Sequence, residues 1–290
     1  MMSERRLYVT IDTEMDADTH WVKSGPTEYT SIYDGVTSIF RPIWDQYDIH
    51  PIYLLSPEIL MDDKCVDIFK REIEKGAIIG AHLHPECIEP HESYKENVKI
   101  RTNQFPCVDC SYEVEKQKLL NLTELIECKL GVKPEWYRAA RFGVDDDSYR
   151  ILDELGYKYD SSVTPGIDWG DRGGIDYRGF SQRKYKIEGT NLVEYPVTIS
   201  GKRFGFWGRI LPDNWLLFRW LRPTHMTYIE MKSLINEQFR EGNNELVMMF
   251  HSMEIMINKT PYVRNRWMQM YYLWRMNKTF EYCRKLGVRM

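Results

Sequence analysis

Short apolar runs alternate with amphipathic stretches along almost the whole chain, and residues able to do chemistry stand where the runs end. Leu7–Ile11 predicts a strand that closes on acids, Pro51–Leu55 a second strand and Ala77–His84 a third. Trp136–Ala139, Tyr157–Val163, Leu192–Ile199 and Glu245–His251 continue the series. Between the first two, Val36, Ile39, Phe40, Ile43 and Trp44 recur at helical spacing. Ser56 and Pro57 signal a helix start, and Gly76 its stop. Further helices are expected over Ser111–Leu130, Asp145–Leu155, about Thr227–Arg240 and about Val263–Leu286. Seven strands mostly alternating with helices predict a parallel α/β architecture, barrel or doubly wound sheet. With no internal repeat or low-complexity linker, residues 1–290 are expected to form a single domain.

In such architectures the site forms at the carboxyl ends of the strands. Asp12 and Glu14 end the first run, His82 and His84 the third, and His251 the last, while Arg138 opens the turn after the fourth. Polar residues that were merely surface would not track strand ends in this way. Composition narrows the class further. With 43% hydrophobic and 28% charged side chains, the chain is neither disordered nor fibrous. Its 39 Lys and Arg against 43 Asp and Glu give a net charge of −4, not the basic excess of a nucleic-acid binder. No apolar run reaches the ~18 residues of a membrane span. The opening MMSERRLYVTID carries no secretory signal pattern, and six scattered cysteines suit a reducing compartment, so a cytoplasmic location is expected.

His82 and His84 are two residues apart, so on a strand both imidazoles face one side and can converge on one ion. Taken alone, such a pair is as easily two hydrogen-bonded histidines. Asp12 and Glu14, which also share a face, change that balance. Two histidines and a carboxylate with an open position form a catalytic metal arrangement. The second carboxylate can take a proton from water. His251, at the end of a buried run, is placed to protonate a leaving amine.

These residues, in this order, resemble the polysaccharide deacetylases of the NodB-homology type, carbohydrate esterase family four, over about residues 7–252. Thr10–Glu14 is similar to the first motif, normally T-F-D-D, and Ile79–His84 to the second. Tyr137–Gly143 is similar to the third motif and Phe250–Ser252 to the last. Within that family the strings at His82–Pro85, Tyr137–Gly143, Asp160–Pro165 and Phe250–Glu254 resemble the WalW/WbmS-like branch of lipopolysaccharide biosynthesis. The resemblance implies a single distorted (β/α) barrel of about seven strands and a divalent metal, zinc first. It implies hydrolysis of an N-acyl group, N-acetyl first, on a sugar of surface-polysaccharide or O-antigen assembly. Asp12 would match the general base, His251 the general acid and Arg138 the arginine that orients the base. His82 would match the first metal histidine. The chain departs from the family at two places. Thr13 replaces the second aspartate, which leaves Glu14 as the ligand. The second histidine falls where this chain has Glu86, so His84 takes that role with Glu86 as the fallback. The fourth motif is matched loosely by Asp168 and Trp169, expected at the substrate.

Arg141 has no place in the family pattern. It is expected either to bind an anionic substrate group or to pair with one of Asp145, Asp146 and Asp147. Cys87, His91, Cys107 and Cys110 have the spacing of a structural zinc site, which would order a loop insertion at about 85–110; free thiols are the preferred reading. The aromatic run from Phe204 to Trp220 suits core, a sugar platform or peripheral membrane contact. Trp267, Tyr271, Tyr272 and Trp274 read as helix packing. An enzyme on this plan has two rivals: a carbohydrate-binding protein that kept the fold and lost turnover, and an amidase acting on a non-sugar amide.

Overall fold

The structure, a computed structural model, describes residues 4–23, 28–90, 105–202 and 217–290. Its main sheet uses β1 (Arg6–Thr13), β2 (Ile52–Leu55), β3 (Ile78–Leu83), β4 (Trp136–Ala139), β5 (Tyr159–Asp160), β6 (Tyr185–Lys186), β7 (Val193–Glu194) and β10 (Glu245–His251). The order is β10-β1-β2-β3-β4-β5-β7-β6, with every ladder parallel except β6 against β7. A second, antiparallel pair joins β8 (Ile199–Lys202) to β9 (Phe218–Trp220). The helices are α1 (Arg41–Tyr47), α2 (Asp63–Glu74), α3 (Pro106–Asp109), α4 (Tyr112–Leu130), α5 (Asp146–Glu154), α6 (Tyr228–Arg240) and α7 (Arg266–Lys285). A π-helical segment, Ser31–Phe40, runs directly into α1.

The parallel strands are apolar on both faces because helices cover one side and the sheet's own curl covers the other. Tyr8 of β1 and Trp136 of β4 stand three places apart in the sheet, yet their rings are 5.4 Å apart. Flat strands spaced by about 4.8 Å would hold them roughly 14 Å apart, so the sheet bends into a trough. Tyr195 completes this aromatic plug, 4.9 Å from Tyr8 and 5.1 Å from Trp136. Gly80 is required beside it, since a Cβ there would sit 2.6 Å from the Trp136 carbonyl oxygen and 2.6 Å from the Leu54 side chain. On the outer side Phe40, Trp44, Phe250, Tyr272 and Phe280 form the core under the helices. Residues two apart on a strand share a face. Tyr8, Thr10 and Asp12 therefore climb one wall of the trough, with Trp136 and Arg138 opposite.

The expected strand at Tyr157–Val163 shrinks to β5, because the Asp160 carboxylate accepts from the Ser162 hydroxyl (2.7 Å) and amide (3.1 Å) and turns the chain. The run Leu192–Ile199 splits into β7 and β8 across Pro196, which has no N–H to donate. With β6 added, the sheet has eight strands where seven were expected. It ends at β10 and β6 instead of closing as a barrel. The β10 edge is partly covered, Thr198 N–H donating to Val247 (3.1 Å) and Met249 N–H to Leu221 (3.3 Å). The helix expected to start at Ser56 starts at Asp63 instead. Pro57–Met61 is a 3₁₀ turn, Asp62 caps Cys65 N–H at 2.8 Å, and the Ser56 hydroxyl donates to the Thr13 carbonyl. Of the C-terminal aromatic series only Tyr272 packs inside; Trp267, Tyr271 and Trp274 are exposed, contrary to expectation.

Candidate active site

Arg138 is fully buried, a position tolerated only when each of its charged donors is matched. Its Nη1 donates to Asp12 Oδ1 at 2.7 Å, its Nη2 to the hydroxyls of Thr10 (2.9 Å) and Ser161 (2.8 Å), and its Nε to the Ser161 carbonyl (2.7 Å). Burial would raise the Asp12 carboxyl, but the Arg138 charge outweighs it and keeps Asp12 below its ordinary range, hence ionised. Asp12 Oδ2 is turned to the other side, 3.9 Å from His251 Nε2. Behind Arg138 lies a second acidic group. Asp160 and Glu194, register partners on β5 and β7, are wholly buried and both pushed up by desolvation.

Glu14 and the two strand-end histidines come together as the spacing predicts. His82 Nε2 and His84 Nε2 each lie 3.0 Å from Glu14 Oε1, and these three ligand atoms fall within 4.8 Å of one another. His82 Nδ1 stands 2.8 Å from the Arg138 carbonyl, which can only accept, so Nδ1 carries a hydrogen and Nε2 is the nitrogen turned to Glu14. His84 Nδ1 faces Glu86 Oε1 at 3.3 Å, and His84 Nε2 is buried without a well-directed hydrogen bond. An orphaned buried imidazole nitrogen beside a second imidazole and a carboxylate is a donor set that fits a divalent cation such as zinc. Glu86 is thus the support behind His84 in place of a ligand, and it is itself held by Arg141 Nη2 at 3.1 Å. Burial would lower His84, but Glu14 overrides it and lifts the ring to about 9. A cation entering at neutral pH would therefore displace a proton.

Sequence reasoning missed Lys23. Its Nζ is buried 2.6 Å from Glu14 Oε2 and 3.7 Å from Glu58 Oε1, and the two carboxylates hold it charged against the cost of burial. No motif marks a lone lysine in the chain after β1. It leaves Glu14 one oxygen for the histidines.

His251 closes the opposite side, its Nε2 3.7 Å from Glu14 Oε1. Its Nδ1 faces Glu254 Oε1 at 2.9 Å, Trp21 packs edge-on at 5.1 Å, and Arg222 pairs with Glu254. The Arg222 charge holds the wholly buried Glu254 well below its ordinary value, so the carboxylate fixes His251 with Nδ1–H inward and Nε2 toward the cleft. The i, i+3 spacing of His251 and Glu254 after a buried run was the available signal; Arg222 had none.

These groups line a cleft of 640 Å³, within the roughly 300–1,000 Å³ typical of small-molecule sites. Arg141, Phe142 and Trp169 form its wall, Phe142 stacked on Trp169 at 5.9 Å. Arg141 pairs with Glu86 and with none of the aspartates at 145–147 considered from sequence. Asp168 is not brought into the cleft, since its carboxylate accepts from Gly170 N–H and pairs with Arg178 at 3.1 Å. Among the described residues the only metal-capable group is Glu14, His82 and His84. Cys87, Cys107 and Cys110 form no such group among the described residues, and His91 lies outside them. So does most of the aromatic run, residues 203–216.

No protein-family model matches the chain, and no curated protein does. Among solved structures, a protein assigned as a polysaccharide deacetylase from Mycobacterium smegmatis is similar with a TM-score of 0.52 at 14% identity, over 100% of this chain and 88% of that one. A GH57 branching enzyme from the hyperthermophilic archaeon Thermococcus kodakaraensis is similar with a TM-score of 0.54 at 9% identity, over 99% of this chain and 69% of its own. At such identities the likeness establishes the fold and leaves the chemistry to the site. The chain therefore has the mixed α/β fold, with a curled and open sheet, that is shared by these proteins.

Proposed function

We propose that the chain is a metal-dependent deacetylase that hydrolyses an N-acyl group, N-acetyl first, from a sugar. One observation carries the reading: a carboxylate locked on a buried arginine, a Glu–His–His group and a carboxylate-backed histidine face one cleft. Glu14, His82 and His84 would hold the ion, with zinc preferred, and the ion when bound polarises the acyl oxygen and acidifies water. Asp12 Oδ2 takes the water's proton, while Arg138 keeps Oδ1 occupied and the carboxylate oriented. His251 Nε2 delivers a proton to the departing sugar nitrogen, and Glu254 fixes its ring. Each proton-transfer group would contribute on the order of 10²–10⁴-fold. The Phe142–Trp169 stack offers a face for a sugar ring, and Arg141 a charge beside it.

The fold likeness to a branching enzyme raises glycosyl transfer as a rival, which needs a carboxylic acid ready to protonate a leaving oxygen. Both cleft carboxylates are committed elsewhere, Asp12 to Arg138 and Glu14 to two histidines and Lys23, so amide hydrolysis is the better reading. A role in surface-polysaccharide or O-antigen assembly in the cytoplasm, on the WalW/WbmS-like branch, draws only on the motif strings and the scattered cysteines. A glycan-binding protein without turnover is the second reading. The observation that favours it is Lys23, an ammonium seated against the would-be metal ligand.

Metal content per chain, in wild type and in His82→Ala/His84→Ala, tests the proposal together with acetate release from N-acetylated sugars. One ion that is lost in the double variant, with acetate released by wild type, is expected. No ion in wild type after incubation with zinc overturns the hydrolase, and glycan binding without acetate release makes the second reading the right one.

A further inference from the structure

The first half of α7 has two apolar faces and only one of them is used. Tyr272, Met276 and Phe280 pack into the core. Trp267, Met270, Tyr271 and Trp274, spaced over two turns, face outward, Trp267 with 80% of its surface exposed and Trp274 with 48%. Tyr271 stacks on Trp274 at 5.8 Å, Arg275 lies over Tyr271 at 4.4 Å, and Tyr228 of α6 meets Trp274 at 6.0 Å. Ile229 beside it is 75% exposed. Tyr228, Tyr271 and Trp274 thus brace one another near Trp267, and nothing in the core requires them there.

Charge decides what covers it. Between Glu254 and Glu281 the chain carries Lys259, Arg264, Arg266, Arg275 and Lys278 and no acid. Arg264 and Arg266, exposed, stand immediately before Trp267. Lys259 is matched by Glu28 and Lys278 by Glu281 of the same helix, and Glu230 on α6 is held in the Thr227 capping box. A twofold contact with a second copy would set this one-signed rim against itself, because isologous interfaces pair a patch with its own image. Trp and Tyr with an apolar body and a polar edge, flanked by arginine, suit the headgroup region of a bilayer instead.

We propose that this face docks on an anionic lipid bilayer surface. In a parallel βα unit the helix after a strand starts at the catalytic end of the sheet. Here Gln269 donates to the Ile255 carbonyl at 2.9 Å, in the turn that carries Glu254, and Tyr262, five residues before Trp267, lines the cleft. Docking therefore brings the mouth of the cleft to the membrane, where a substrate on a lipid carrier would be held.

Co-sedimentation of the full chain with phosphatidylcholine vesicles, with and without phosphatidylglycerol, tests the proposal without any turnover, so its outcome is independent of the deacetylase reading. Binding is expected only with phosphatidylglycerol, is expected to fall as salt rises, and should weaken at least ~10-fold in Trp267→Ser/Trp274→Ser and in Arg264→Glu/Arg266→Glu. Both variants change exposed residues, and unchanged thermal melting checks their fold. No binding to the anionic vesicles, or equal binding by the variants, overturns the proposal. So does a wild-type dimer in sedimentation velocity that the Trp variant abolishes, which would make a second copy the occupant.

Discussion

Glu115 sits in the first turn of α4 with 2% of its surface exposed, accepting from the Ser148 hydroxyl at 2.7 Å. Desolvation, with Asp145 and Asp147 adding repulsion, raises its carboxyl from 4.5 to about 7. The native state therefore binds this proton more tightly than the unfolded chain does. Its stabilising effect is complete below pH 4.5 and is lost as pH rises through 7. At about 1.4 kcal/mol per pH unit the full displacement corresponds to about 3.4 kcal/mol, of which about 2.5 kcal/mol falls between pH 5 and 8. Glu115→Gln keeps an acceptor for Ser148 and carries no charge at any pH. Urea unfolding of both proteins at pH 5, 6, 7 and 8 should show the variant gaining on wild type by about 2.5 kcal/mol across that range. A difference that stays flat with pH would refute the reasoning, because it would mean that the carboxylate is hydrated in the native state.

Two further outcomes test the supports behind the site. Glu86→Gln removes the charge behind His84 and should weaken zinc binding by roughly 10–100-fold in calorimetric titration; an unchanged affinity would leave Glu86 with no such role. Glu254→Gln should lower kcat by about 10²-fold or more with metal content retained. It should also cost roughly 3–5 kcal/mol in unfolding, because Arg222 loses its buried counter-charge. A loss of stability with kcat unchanged would make Glu254 a purely structural partner.

Where a run's side chains do not compete for its own backbone, as at Trp136–Ala139 and Glu245–His251, the strand is readable to the residue. Tyr157–Val163 differs in containing Asp160 and Ser162, whose mutual hydrogen bonds offer the backbone an alternative to the ladder. Period-two spacing was enough to bring His82 and His84 to one carboxylate, because strand geometry fixes that relation locally. Lys23 comes from a loop, and which loop residue folds over a strand end depends on the whole chain. Glu86 was legible as a departure from a motif, but its function depends on which imidazole nitrogen it faces. The exposure of Trp267 and Trp274 is invisible for a related reason: helical periodicity identifies an apolar face without saying whether anything lies against it.

The curl of the sheet has a kinetic consequence. Arg138 reaches Asp12 across 126 positions of sequence, and His82 reaches Glu14 across 68. The first spans β1 to β4 and the second β1 to β3, so neither contact exists until those strands are assembled and bent. A fragment that lacks β1 or β3 therefore cannot offer the Glu14–His82–His84 group, and contacts so distant in sequence slow the folding that brings it together. On the proposed function, uptake of a cation by Glu14, His82 and His84 would therefore report that β1 and β3 have been assembled.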